Sequence, residues 1–218
     1  MIYATFITGK EYRDKYISQV QKEIVGKDIH ILTDTPELFP NSKTELYTRD
    51  VFSYYEKLLF LVRKVLERKE RVTFIDCDWL KGLHLNFKLE KDTFYTYALF
   101  KFEEFQNRPF SMEGINMVID VLEKNNFTLK KDVYIGEAIM SLPYSNKTES
   151  ILQDLIYLQA DWENKFNQNI VTENRKLKRY ASYGVGYGEG GALTAVLQKY
   201  NVKLQDVSLY NFISKGII

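Results

Sequence analysis

The sequence predicts an α/β domain with a mixed, mainly parallel central sheet, Rossmann-like in its winding and flanked by helices. Three observations point to it. Residues 1–80 alternate strand, helix, strand, helix, strand, the order that builds parallel pairs with helices packed on the sheet. Several longer segments repeat apolar residues at helical spacing. No repeat, low-complexity linker or change of composition divides the chain, so residues 1–218 read as one domain with halves 1–80 and 81–218.

Ile2 to Ile7 is a short buried-strand run, stopped by Thr8-Gly9. Glu11 to Val25 is helix-like, with Tyr12, Tyr16, Val20 and Ile24 four apart. Asp28 to Leu32 reads as a second strand, and Pro36, Pro40, Asn41 and Ser42 mark a loop after it. Asp50 to Lys69 is the clearest helix: Val51, Tyr55, Leu58, Leu59, Val62, Val65 and Leu66 form one stripe, and Arg63, Lys64, Glu67 and Lys69 fall off it. Arg71 to Ile75 is a third strand.

The second half is less regular. Leu83, Leu85 and Phe87 alternate as in a strand, and Phe94 to Phe105 fits a strand or an aromatic helix equally. Ser111 to Lys124 reads as a helix and Val133 to Leu142 as a strand. Lys147 to Phe166 is a long amphipathic helix with Thr148 and Glu149 at its start, where a cap and an acidic group belong. Tyr183 to Gly191 is glycine-rich, Ala192 to Tyr200 a short helix, and Val202 to Val207 a last strand.

Composition narrows the function classes. The chain is 45% hydrophobic and 27% charged, which places it among globular domains and not disordered ones. Its 16 Tyr and 14 Phe suit a cleft that stacks on sugars or bases, and equally a tyrosine-rich core. A net charge of +1 lacks the basic surplus of a protein that grips duplex DNA, and the Arg175, Lys176, Lys178, Arg179 cluster reads as a solvated face. With Cys77 as the single cysteine, neither an internal disulfide nor a thiolate zinc site can form. Met1 to Ile7 reads as a strand and not a signal peptide, and no run reaches the ~18 to 20 apolar residues of a membrane span. A cytoplasmic protein is the expectation.

The chemistry concentrates in Phe74-Ile75-Asp76-Cys77-Asp78. Two aspartates stand at the carboxyl end of a buried strand, the edge of a parallel sheet where ligands bind. Paired carboxylates there concentrate negative charge, which Mg²⁺ or Mn²⁺ relieves while keeping positions for phosphate oxygens. An Asp-x-Asp alone is equally a solvated turn; its place after the third strand of an alternating pattern is what gives it meaning. Of the two histidines, His30 lies in a strand and reads as structural, while His84 follows the aspartates closely.

In this setting the chain resembles the GT-A type of glycosyltransferase, which transfers a sugar from a nucleoside diphosphate. Ile7-Thr8-Gly9-Lys10-Glu11-Tyr12 looks like that family's nucleoside-receiving turn, Ile31-Leu32-Thr33-Asp34 like the strand end near the base, and Lys57 like a helix cation facing the nucleotide. Tyr187-Gly188-Glu189-Gly190-Gly191-Ala192-Leu193-Thr194 resembles the block in which an acidic pair opens a helix below the sugar. In retaining enzymes of the blood-group A/B type that block reads His-Asp-Glu-Ser-x-Leu-Asn; this chain keeps Glu189 and Leu193 but has Gly188 at the Asp position. Asn107-Arg108-Pro109-Phe110-Ser111 is similar to a further stretch of those enzymes, and Val133 to Met140 to their second conserved block.

The resemblance implies a donor-binding half, 1–80, and an acceptor and catalytic half, 81–218. It implies a UDP-sugar donor, a saccharide or other hydroxyl acceptor, and Mn²⁺ or Mg²⁺ on Asp76 and Asp78. Thr8, Gly9, Tyr12, Asp34, Lys57 and Asp76 would face the nucleotide, Trp79 and Glu137 the sugar. Glu189 would be the carboxylate beneath the ring, giving retention if it stands at contact distance. Other readings stay open: a sugar-nucleotidyltransferase, disfavoured because only Gly9 stands in the first loop; a phage-type DNA glycosyltransferase, kept by the basic cluster; and a nucleotide-binding protein without turnover, suggested by Gly188.

Overall fold

A computed structural model describes residues 2–49, 53–80, 89–101, 109–130, 133–166 and 189–207, with the side chains of 98, 109–113 and 137 outside that set. Seven strands form one sheet, β1 (Ile2–Ile7), β2 (Ile29–Thr33), β3 (Lys43–Leu46), β4 (Val72–Ile75), β5 (Thr93–Lys101), β6 (Val133–Leu142) and β7 (Lys203–Asp206), in the order β3-β2-β1-β4-β6-β5-β7. β1, β2, β3 and β4 run parallel, β6 is antiparallel to both β4 and β5, and β5 pairs parallel with β7. The helices are α1 (Lys10–Glu23), α2 (Tyr55–Arg68), α3 (Pro109–Lys124), α4 (Thr148–Phe166) and α5 (Glu189–Lys199).

The strand alternation sorts side chains into two cores. Ile2, Ala4, Phe6, Val72, Phe74 and Met140 face the layer of α2, α3, α4 and α5, while Ile7, Ile29, Ile31, Ile75 and Ile139 face α1. Trp162, Tyr134, Phe60, Phe74 and Phe94 are the bulkiest fully buried side chains, so the aromatic richness of the sequence goes largely into packing.

Three sequence expectations are corrected and one open choice, at Phe94 to Phe105, is settled. β3 falls in the stretch read as loop; Lys43-Thr44-Glu45-Leu46 has no apolar alternation because it is an edge strand, mostly exposed, held by its ladder to β2. Thr93–Lys101 is a strand, as its aromatic and β-branched residues favour beside β6. Lys64 does not fall off the apolar stripe of α2: it is 7% exposed and pairs with Glu45 and Glu67, both at 2.8 Å. α2 is enclosed by the sheet on one side and by α4 and α5 on another, which buries Glu56, Lys57 and Lys64 along with its apolar residues. α5 begins at Glu189, three residues before the expected Ala192. The expected strand about Leu83, Leu85 and Phe87, together with His84, the basic cluster and residues 183–188, lies outside the described residues.

The start of α2 is clamped to α4. Arg49 donates to Glu163 and, at 2.8 Å, to Glu56; Ser53 Oγ donates to Glu163 at 3.0 Å, and Gln159 donates to both carboxylates. No helix among the described residues is long and apolar enough to cross a membrane.

Candidate functional site at the carboxyl ends of β1 and β4

The chain winds from β1 outward to β2 and β3, then returns to place β4 on the other side of β1. That reversal opens a crevice at the carboxyl ends of β1 and β4, where open α/β sheets bind ligands. Thr5 Oγ1 donates to Ile75 O at 2.7 Å and keeps the two strand ends together. Beyond Ile7 and Ile75 the alternation carries Thr8 and Asp76 to the α2 side, alongside Phe6 and Phe74.

Thr8, Tyr12, Asp76 and Asp78, with Phe6, Tyr54 and Cys77, line a cleft of about 60 Å³. Tyr54 Oη donates to Tyr12 Oη at 3.4 Å, which closes one side. Behind Asp76 stands Lys57, 3% exposed, with its Nζ 3.7 Å from Asp76 Oδ1 and 3.3 Å from Glu189 Oε1. The Tyr54 ring also lies against the ammonium, its centroid 5.5 Å from Nζ. Tyr54 was not singled out from the sequence; its place three residues before Lys57, which puts both on one side of the chain as it enters α2, is the signal that could have found it.

Two local features set Asp76. Its N–H donates to Ala138 O at 2.9 Å, extending β4 against β6, and its carbonyl accepts from Trp79 N–H at 2.9 Å to close the Cys77–Trp79 turn. β6 bulges beside it: Tyr97 pairs with Ile139 and Leu99 with Ile135, so Gly136–Ala138 stand opposite Ala98 alone. Burial pushes the Asp76 carboxyl up to about 6; Lys57 opposes this, while Asp78 and Glu189 add to it. About a third of the Asp76 side chain stays open to solvent. The Cys77 thiol is pushed up to about 12 by burial and by Asp78 and Asp76, so it is no nucleophile near neutral pH.

Glu189 is held by packing at the first turn of α5. Gly191 lies so close to α3 and β6 that an added Cβ would stand 2.4 Å from Val118 Cγ1. Thr194 Oγ1 accepts from Ile135 N–H at 3.0 Å and donates to Gly190 O at 2.5 Å. Glu189 is 2% exposed. Its Oε2 and the Thr8 hydroxyl are buried and have no hydrogen-bond partner among the described residues. Buried polar atoms are ordinarily paired, so the orphaned Thr8 hydroxyl on the wall of the cleft points to something the cleft is built to receive.

The other expected residues stand apart from this group. Gly9 takes φ 76° to turn β1 into α1, and its N–H donates to Asp34 Oδ2 at 3.1 Å. Both Asp34 oxygens also lie 3.0 Å from Arg13 Nη1, so the carboxylate is engaged in holding that turn. Trp79 packs on Tyr97, ring centroids 4.9 Å apart, against the core on the α1 side. Glu137 lies in the β6 bulge with its side chain outside the described set.

Among the described residues no three His, Cys, Asp or Glu side chains gather into a metal cage. Mg²⁺ and Mn²⁺ need none when a phosphate supplies the other oxygens; one or two carboxylates suffice. Asp76 and Asp78 on one cleft, with the orphaned Thr8 hydroxyl on the same wall, fit such an ion. Neither a model of a known protein family nor a curated protein matches the chain.

Proposed function

We propose that the chain is a glycosyltransferase that takes its sugar from a nucleoside diphosphate donor, a UDP-sugar by its resemblance to the GT-A type, and passes it to a hydroxyl acceptor. The observation that carries this reading is the convergence of Asp76, Asp78 and the unpartnered Thr8 hydroxyl at the switch point of the sheet, backed by the Lys57–Glu189 pair. Transfer breaks the bond from the anomeric carbon to the diphosphate oxygen and forms one to the acceptor oxygen, whose proton departs. Negative charge grows on the diphosphate and positive charge on the sugar ring.

Asp76 and Asp78 would hold Mn²⁺ or Mg²⁺, which offsets the charge developing on the diphosphate. Thr8 offers the donor a hydroxyl that has no partner among the described residues. Glu189, buried and paired with Lys57, acts in this reading through that ammonium as a positioning residue for Asp76. The cleft, about 60 Å³, is well below the ~300 Å³ at which small-molecule sites begin and is of a size for an ion and a phosphate group, not a whole nucleotide.

Thermal unfolding with UDP, GDP, CDP and ADP, each with and without Mn²⁺, tests the reading. A ligand at ~100 times its dissociation constant adds about 2.7 kcal/mol. A Mn²⁺-dependent shift with one nucleotide, lost in Asp76→Asn/Asp78→Asn, supports it, and turnover of the matching sugar nucleotide completes the case. A folded protein that no nucleotide stabilises overturns it.

A further inference from the structure

We propose that Lys57 is the cleft's resident cation: its ammonium neutralises Asp76 until a divalent ion arrives, and Glu189 then takes the ammonium over. The inference rests on the metal-binding part of the proposed function and concerns how the ion is admitted.

The geometry is that of one cation shared between two anions. Lys57 reaches Asp76 at 3.7 Å and Glu189 at 3.3 Å, and the two carboxylates come from opposite ends of the chain. The two partners differ in access. Asp76 keeps a third of its side chain open to the cleft, whereas Glu189 is 2% exposed and has no route of its own to solvent. An incoming ion therefore meets Asp76 first, and Glu189 is the carboxylate left for the ammonium.

Glu189 has the capacity for this. Its Oε2 has no hydrogen-bond partner among the described residues, so a buried carboxylate is half satisfied while Lys57 is shared. A shift of the ammonium toward it improves that pair as the metal relieves Asp76. The exchange keeps charge in balance at each stage. Among the described residues one ammonium stands against the three carboxylates of Asp76, Asp78 and Glu189, an excess of negative charge that receives a dication, while the buried Glu189 keeps its cation. Lys57 thus lowers metal affinity in return for a stable metal-free state.

The test is Mn²⁺ uptake, read from the electron paramagnetic resonance of free Mn²⁺, by chelator-treated wild type, Lys57→Met, Glu189→Gln and the double variant. Removing the competing ammonium tightens uptake on the order of 10- to 100-fold in Lys57→Met. Glu189→Gln leaves the ammonium on Asp76 and weakens uptake. The double variant decides between competition and net charge, because it carries the same formal charge as wild type: competition requires it to bind tighter, a net-charge effect requires it to match. It also carries the test if Lys57→Met fails to fold, since both buried charges are gone. A double variant that binds as wild type does, with uptake still abolished by Asp76→Asn, overturns the inference and leaves the metal site standing. Uptake by both Lys57 variants but not by wild type supports the inference and removes the metal-dependent reading. No uptake by any protein overturns both.

Discussion

Lys57 and Glu189 form an ion pair of 3.3 Å between α2 and the first turn of α5, with both side chains more than nine-tenths buried. Removing Lys57 leaves the Glu189 carboxylate inside the protein without the cation it pairs with. Lys57→Met is expected to lose roughly 3 to 5 kcal/mol of metal-free stability, and the double variant with Glu189→Gln to recover part of that loss. Urea unfolding in chelator measures both. A single variant as stable as wild type would show that the pair contributes nothing.

Thr8 offers a separation of binding from folding. Its hydroxyl is buried and has no partner among the described residues, so Thr8→Val keeps the shape and removes a desolvated polar atom. Metal-free stability is expected to hold or rise, by up to ~1 to 3 kcal/mol. If the hydroxyl serves the ligand, nucleotide affinity falls several-fold in the same variant. Paired unfolding and calorimetric titration would read the two effects, and unchanged affinity would remove Thr8 from the site.

Gly191 tests the seat of α5. A Cβ there would stand 2.4 Å from Val118 Cγ1 and 3.1 Å from the Tyr134 ring, and the helix must move away. Gly191→Ala is expected to cost about 1 to 3 kcal/mol despite the higher helix propensity of alanine. Because Glu189 lies on the same turn, nucleotide binding is expected to weaken with it. A stabilised variant would show that the close approach is relaxed in solution.

His30 sets a pH dependence. Burial holds its pKa below the usual histidine value, Lys64 and Lys43 add to that, and Asp28 opposes. The unfolded chain takes up this proton as pH falls through about 6.5, and the folded chain only lower still. Stability from this residue is thus complete above the unfolded pKa and is lost as pH falls below it, at no more than about 1.4 kcal/mol per pH unit. Urea midpoints at pH 7.5 and 5.5, compared with His30→Gln, isolate the contribution. Equal pH dependence in both proteins would show that His30 binds its proton equally well in the folded and unfolded states.

Local sequence decided the order and type of most elements. The apolar run Ile2–Ile7, the spaced residues of α1 and the amphipathic α4 are legible because burial imposes period 2 on strands and 3.6 on helices. β3 was not legible, since an exposed edge strand carries no such pattern. Asp76 and Asp78 stood out as a pair at a strand end, and their place at the switch point follows from the return of β4 to β1. Lys57 stood out only through the family resemblance, as a helix cation facing the nucleotide. Only the packing of α2 beneath the sheet and against α5 made it a buried cation, because burial depends on what covers a residue and not on its neighbours in sequence. The same holds for Glu189, 132 positions away, which the close seat of Gly191 against β6 brings to the ammonium. By itself the sequence determined an α/β order and two aspartates at a strand end; the tertiary structure alone decided which cation they meet, since no local pattern encodes a contact between opposite ends of a chain.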